Sequence, residues 1–262
     1  MKSEKNSVEK LIRILFLLLG VLGLYFLVMA GSAPLRTLKK MNKQAVSDSL
    51  FFTKSANLAS DSGLFAQARQ KAYLNARINL AKNDSIGIII NLSDSLLHLS
   101  LKGVIIHTSH ITELKTDPFL RALHPLAWLK TFSEPLVAEE EKTSIVKEPI
   151  VKKRAPKDTL EAMDMAFLPD TLVQNPAWFS MYFPQGLNLV LVQEQWVTRA
   201  DKKVERAFQA DIRRKRRSDA FHSAFHPGDP RYTPLILIKI NIDDVRSIYR
   251  ALPEKAPVVI GY

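Results

Sequence analysis

The sequence predicts an α+β protein: an N-terminal transmembrane helix, membrane-proximal helices, then a mostly β domain with a helical insertion. Three observations carry that expectation. Residues 14–29 form an apolar run with no charge. Apolar residues then recur at three- and four-residue steps as far as about residue 83. From residue 84 short alternating strands set in, separated by tight polar turns.

Composition narrows the classes first. The 262 residues are 47% hydrophobic and 24% charged, with 9 Gly and 14 Pro, which suffices for a buried core and excludes wholesale disorder or a collagen-like fibre. Cysteine is absent, which removes disulfides, thiolate metal sites and any cysteine nucleophile. The 37 Lys+Arg outnumber the 26 Asp+Glu, giving a net charge of +11. Such a balance suits anionic lipid, an acidic polymer or nucleic acid, and the total does not choose among them.

The N-terminal segment reads as a basic flank over 1–13 and a span over 14–30. Lys2, Lys5, Lys10 and Arg13 precede the apolar run, and Arg13 can reach the headgroups with its long stem. Two fates are open: an uncleaved anchor, or a signal peptide cut after Ala30. The run exceeds the usual ~7–15-residue core of a signal peptide, which favours the anchor. Arg36, Lys39, Lys40 and Lys43 follow it, four charges against four, so flanking charge does not orient the chain.

Residues 31–83 are expected to be membrane-proximal helices, with Leu35, Leu38, Met41 and Ala45 on one face, and Leu64, Phe65, Ala68, Ala72, Tyr73 and Ala76 on another. Ser60-Asp61-Ser62-Gly63 marks the break between them. A domain is expected over 84–262. It opens with strands at 86–90, 97–101 and 104–108, turning at Ser93-Asp94-Ser95 and Lys102-Gly103. Residues 133–158, with three prolines and mixed charge runs, read as an exposed loop insertion. Residues 187–197 are a strand, 199–225 a basic helix, and 234–242 a central strand with apolar residues on both faces. Asp243-Asp244 is expected to cap a short helix over 245–252, before a last strand at 257–260.

The residues from Leu237 to Pro253, followed by Ala256-Pro257-Val258-Val259-Ile260, resemble the end of an L,D-transpeptidase (YkuD-like) catalytic domain. There a Ser-His-Gly-Cys-Ile-Arg-Leu strand runs into an Asp-capped helix and a closing Pro-Val-Val-Ile strand. The three-strand opening resembles that family's first strands. The stretch Asn175-Pro176-Ala177-Trp178-Phe179-Ser180-Met181-Tyr182-Phe183 with Gly186 resembles the aromatics ahead of its Ile-His-Gly strand. The likeness covers 84–262 in three pieces, in the family's order.

What the resemblance implies is a domain without the family's chemistry. Setting Lys239 against the family's arginine puts Leu237 at the cysteine, with Pro234, Leu235 and Ile236 at Ser-His-Gly. The Ile-His-Gly position falls within 187–192, which holds no histidine. Leucine offers no nucleophile, so no catalytic residue is assigned. The implied protein is a cell-envelope pseudoenzyme, single-pass in the cytoplasmic membrane, with its C-terminal domain outside the cytoplasm, binding peptidoglycan or an envelope protein. Two alternatives stand beside it: an active relative with a non-cysteine nucleophile, and a structural subunit of a membrane assembly.

Ser223, His222 and His226, with Ser218 and Asp229 nearby, are the residues from which a displaced nucleophile and base would have to come. His222 and His226 share a helix face but lack the glutamate of a metalloprotease helix, so neither a metal nor a cofactor is expected. Arg213, Arg214, Lys215, Arg216 and Arg217 form the candidate contact surface for an anionic partner; they lack interleaved aromatics, so nucleic acid is not expected. Trp178, beside Phe179, Tyr182 and Phe183, is the candidate aromatic contact.

Overall fold

The computed structural model describes residues 2–49, 61–147, 176–196 and 198–261. Helix α1 (Lys2–Gly31) runs almost directly into α2 (Ala33–Ser49), and α3 (Ser62–Ala81) follows. Asp61 caps α3, accepting from the Gly63 and Leu64 amides. Within α1, Arg13–Gly31 has a mean hydropathy of 2.6 and none of it is buried in the protein. Its 19 residues measure ~28 Å at 1.5 Å per residue, against a hydrocarbon layer of about 30 Å. It is the one helix among the described residues long and apolar enough to cross a membrane.

Two five-stranded mixed sheets follow. Sheet A has the order β3–β2–β1–β10–β5, built from β1 (Gly87–Asn91), β2 (Leu96–Leu101), β3 (Val104–His110), β5 (Leu136–Val137) and β10 (Pro257–Gly261). Sheet B has the order β4–β9–β8–β7–β6, from β4 (Glu113–Thr116), β6 (Glu140–Thr143), β7 (Trp178–Tyr182), β8 (Asn188–Gln193) and β9 (Leu235–Ile240). Each sheet has one parallel pair, β1 with β10 and β8 with β9. The β2–β3 hairpin turns on Lys102 and Gly103, both at positive φ, as a two-residue loop requires.

Alternation decides which side chain faces where. Ile88, Ile90, Leu97, Leu99, Val258 and Ile260 of sheet A share one core with Phe179, Met181, Leu189, Leu191, Ile236, Ile238 and Ile240 of sheet B. The intervening residues face outward. Ile89 and Val259 are covered by Ala76 and Leu80 of α3. Val190, Val192 and Leu237 are covered by Phe208 of α6 (Arg199–Phe225). The result is a sandwich of two sheets with a helix on each outer face. Short helices α4 (Pro118–Arg121) and α5 (Pro125–Phe132), with α7 (Ile242–Ala251), close the ends of the core.

Four expectations change against this fold. The membrane-proximal helices belong to the domain itself: Ala45 of α2 enters the main core and α3 lies on sheet A. Gly87 makes that close approach possible, since a Cβ there would lie 2.9 Å from the Pro257 carbonyl oxygen and 2.5 Å from a Leu80 methyl. The expected loop over 133–158 contains β5 and β6 in its first part, paired with β10 and β7, because buried Leu136 and Ala138 anchor it; residues 148–158 lie outside the described residues. The strand expected over 187–197 ends at Gln193. The cap of α7 is Asn241, which accepts from the Asp243 amide, so Asp243 and Asp244 sit in the first turn, where their charge meets the helix N-terminus.

Candidate functional site

Neighbouring parallel strands need a long crossover, and α6 supplies the one between β8 and β9. A capping box starts it: the Thr198 hydroxyl accepts from the Asp201 amide at 3.0 Å, and the Asp201 carboxylate accepts from the Thr198 amide at 2.9 Å. From there α6 runs over the outer face of sheet B.

That face contains both positions singled out above. Leu237 stands opposite Val190 in the β8–β9 register, so the segment 187–192 and residue 237 meet side by side. Leu237 is 8% exposed and Phe208, resting on it, 3%. Trp178 joins the same cluster, its ring centroid 5.0 Å from that of Phe208. The Trp178 indole nitrogen and Asn188 Oδ1 are buried there without a hydrogen-bond partner among the described residues. An aliphatic and aromatic plug of Val190, Val192, Phe208, Leu237 and Trp178 therefore fills the place, and none of these side chains is a nucleophile or a base.

Charged groups fasten the rim. Lys239 Nζ meets Glu113 Oε2 at 2.6 Å, and Lys115 Nζ meets Oε1 at 2.5 Å. Hydrogen bonds from Lys115 and then Lys239 bring the Glu113 carboxyl down to about 2. Across the sheet Lys142 bridges to Asp211 of α6 at 3.2 Å. Burial disfavours the Lys142 charge, but the Asp211 carboxylate more than offsets this and raises its pKa.

Ser223, His222 and His226 lie at the far end of α6 and do not assemble into a nucleophile and base. The Ser223 hydroxyl is fully buried; it donates to the Arg231 carbonyl at 2.9 Å and accepts from the Arg231 amide at 2.8 Å. It braces a loop. His222 stacks on His226 with ring centroids 4.3 Å apart and reaches Asp229 at 3.4 Å. Asp229 is held at about 2, first by its hydrogen bond from Lys40 and then by His222. Among the described residues no group of three His, Asp or Glu side chains is placed to hold a metal.

The basic run divides by direction. Lys215 and Arg216 face the domain, pairing at 3.3 Å with Asp219 and Asp117. Asp117 also accepts from the Tyr232 hydroxyl at 2.6 Å and caps α4 through the Phe119 amide. Burial and then that hydrogen bond push the Tyr232 phenol up to about 12. Arg213, Arg214 and Arg217 face outward and make no ion pair among the described residues.

The sequence reading missed a groove of about 710 Å³ beside this end of α6. Lys40 of α2, Lys130 of α5, Lys215 of α6 and Arg231 line it, against the carboxylates of Glu139 and Asp219. Its residues come from three helices and three loops, so no local pattern announced it. No family model, curated protein or solved structure matches the chain.

Proposed function

We propose that this chain is a membrane-anchored cell-envelope protein whose L,D-transpeptidase-like domain is catalytically inactive and binds peptidoglycan or an envelope protein. The observation that carries this reading is the register of β8 and β9. It sets the segment 187–192, where the resemblance asks for a base, beside Leu237, where it asks for a nucleophile, and Phe208 packs with Val190 and Leu237. Acyl transfer needs an activated nucleophile within hydrogen-bond reach of a base, and two aliphatic side chains under a phenyl ring provide neither. The ordered strand–helix–strand at 235–261 and the three-strand opening at 87–110 fit the same family likeness.

The groove beside α6 supports a binding role. Four cationic side chains against two carboxylates suit the carboxylates of a wall stem peptide. The apolar segment of α1 supports anchoring, and the family likeness, with the domain outside the cytoplasm, supplies the orientation.

The test uses the full chain in detergent with purified wall sacculi. We expect it to sediment with the sacculi, to lose that binding when Lys40→Glu and Arg231→Glu are combined, and to exchange no terminal D-amino acid on a tetrapeptide stem. Turnover that disappears in Ser223→Ala or His226→Ala would establish the enzyme alternative. Absence of any binding to sacculi would remove the wall-ligand reading.

A further inference from the structure

The outer face of α6 is polar along most of its length and then abruptly is not. Positions 213, 217, 221 and 225 repeat every four residues and so share one stripe of the helix. It reads Arg213, Arg217, Phe221, Phe225, with Arg214 beside it. Phe221 and Phe225 are 66% and 63% exposed, an arrangement unsuited to a face meeting only water.

The end of this stripe touches the apolar part of α1. The Phe225 ring lies 4.8 Å from that of Phe26, with the planes tilted at 49°. Phe26 is five residues inside Gly31, about 7.5 Å along the helix axis. The contact is braced: the Arg36 guanidinium donates to the Met29 carbonyl in the last turns of α1, to the Ser223 carbonyl of α6 at 3.1 Å and to the Pro227 carbonyl at 3.4 Å. Lys40 bridges to Asp229 at 2.6 Å, one turn further along α2. The end of α6 is therefore fixed beside the segment that enters the bilayer.

We propose that the outer face of α6 is a second membrane contact. Phe221 and Phe225 enter the leaflet that α1 leaves, and Arg213, Arg214 and Arg217 engage anionic phospholipid headgroups. The domain then rests on the bilayer surface instead of standing off it. The inference relies on the reading of α1 as a membrane anchor. Two features select lipid as the occupant. The phenylalanines continue the apolar surface of α1, and the three outward arginines carry the charge that an anionic leaflet attracts. Along α6, Phe221 lies about 6 Å from Phe225, Arg217 about 12 Å and Arg213 about 18 Å, so the charged part of the stripe lies beyond the aromatic part, away from α1.

The chain has no cysteine, so single-site labelling is clean. The full chain is reconstituted in vesicles rich in phosphatidylglycerol, carrying an environment-sensitive fluorophore at Phe221→Cys, Phe225→Cys or, in α1, Leu18→Cys. We expect blue-shifted emission at all three positions, quenched by acyl-chain nitroxide lipid and sheltered from aqueous iodide. Replacing the outward arginines by glutamine should weaken docking at 221 and 225 roughly fivefold for each charge removed, leaving 18 unchanged. Iodide quenching at 221 and 225, with lipid quenching kept at 18, would overturn the second contact and leave the anchor. Iodide quenching at 18 as well would overturn both. Shelter from iodide and lipid alike at 221 and 225 would overturn the lipid assignment in favour of a protein covering the face.

Discussion

Truncating Phe208 measures how firmly α6 is seated on sheet B. Phe208 is almost fully buried against Val190, Val192 and Leu237, and its ring meets Trp178 at 5.0 Å. Phe208→Ala removes a phenyl ring from a packed site and leaves a cavity, a change that costs about 3–5 kcal/mol. For a domain of this size each kcal/mol lowers the melting temperature by about 2–4 °C, so a drop of about 6–20 °C is expected. Part of the loss is specific to the aromatic pair. A double-mutant cycle with Trp178→Leu should return a coupling of about 0.5–1.5 kcal/mol. The assay is thermal unfolding of the full chain in detergent, followed by near-ultraviolet circular dichroism. Phe221→Ala is the internal control, because that ring is 66% exposed on the protein, so its loss opens no cavity in the core and should stay within about 0.5 kcal/mol. Equal shifts for Phe208→Ala and Phe221→Ala would refute the plug and reopen the face of sheet B to substrate.

Three further outcomes follow from the same geometry. Leu237→Cys places the chain's sole thiol beneath Phe208; it should react with a water-soluble maleimide far more slowly than Phe221→Cys and confer no acyl transfer, and fast labelling would contradict the seal. Asp117→Ala removes the α4 cap, about 0.5–2 kcal/mol, and the Tyr232 bond to a carboxylate, about 1.5–3 kcal/mol. Arg216→Ala, whose side chain is half exposed, should cost about 0–1 kcal/mol, and urea titrations that reverse this order would refute the placement of Asp117 at the joint. Glu113 and Asp229 both titrate near 2 in the folded protein, below the ~4 of an unfolded carboxylate, so their stabilisation is present above about pH 4 and is lost as pH falls towards 2. Tyr232, raised to about 12, acts at the other end: its contribution is present below about pH 10 and is lost as pH rises towards 12. Urea midpoints across pH should fall at both ends. Glu113→Gln should flatten part of the acid limb, and high salt should shrink that limb, because Glu113 and Asp229 are exposed.

Much of the secondary structure was legible because each element carries its own period. Residues 199–225 form α6 with the expected bounds, and the hairpin turn at Lys102-Gly103 reads directly from its residues. The segment after residue 133 looks like a loop because of its prolines and charges, while Leu136 pairs with Val258, over a hundred residues away, and Ala138 is buried in the main core. The α7 cap was displaced to Asn241 because Asn and Asp both make good caps, and only backbone geometry chooses between adjacent candidates.

At the candidate site the split is sharper. The absence of cysteine, and of histidine from 187–192, is read from the sequence alone, and by itself leaves the proposed transpeptidase likeness without a nucleophile or a base. The same sequence determines the apolar span, the alternation of the strands and the four-residue spacing of Arg213, Arg217, Phe221 and Phe225. Only the tertiary structure decides that Val190 and Leu237 are neighbours, that Phe208 covers them, that Lys215 and Arg216 turn inward while three arginines turn outward, and that Phe225 meets Phe26. The physical reason is that periodicity states which side of an element seeks an apolar partner, and nothing in that local pattern says which distant surface will provide it.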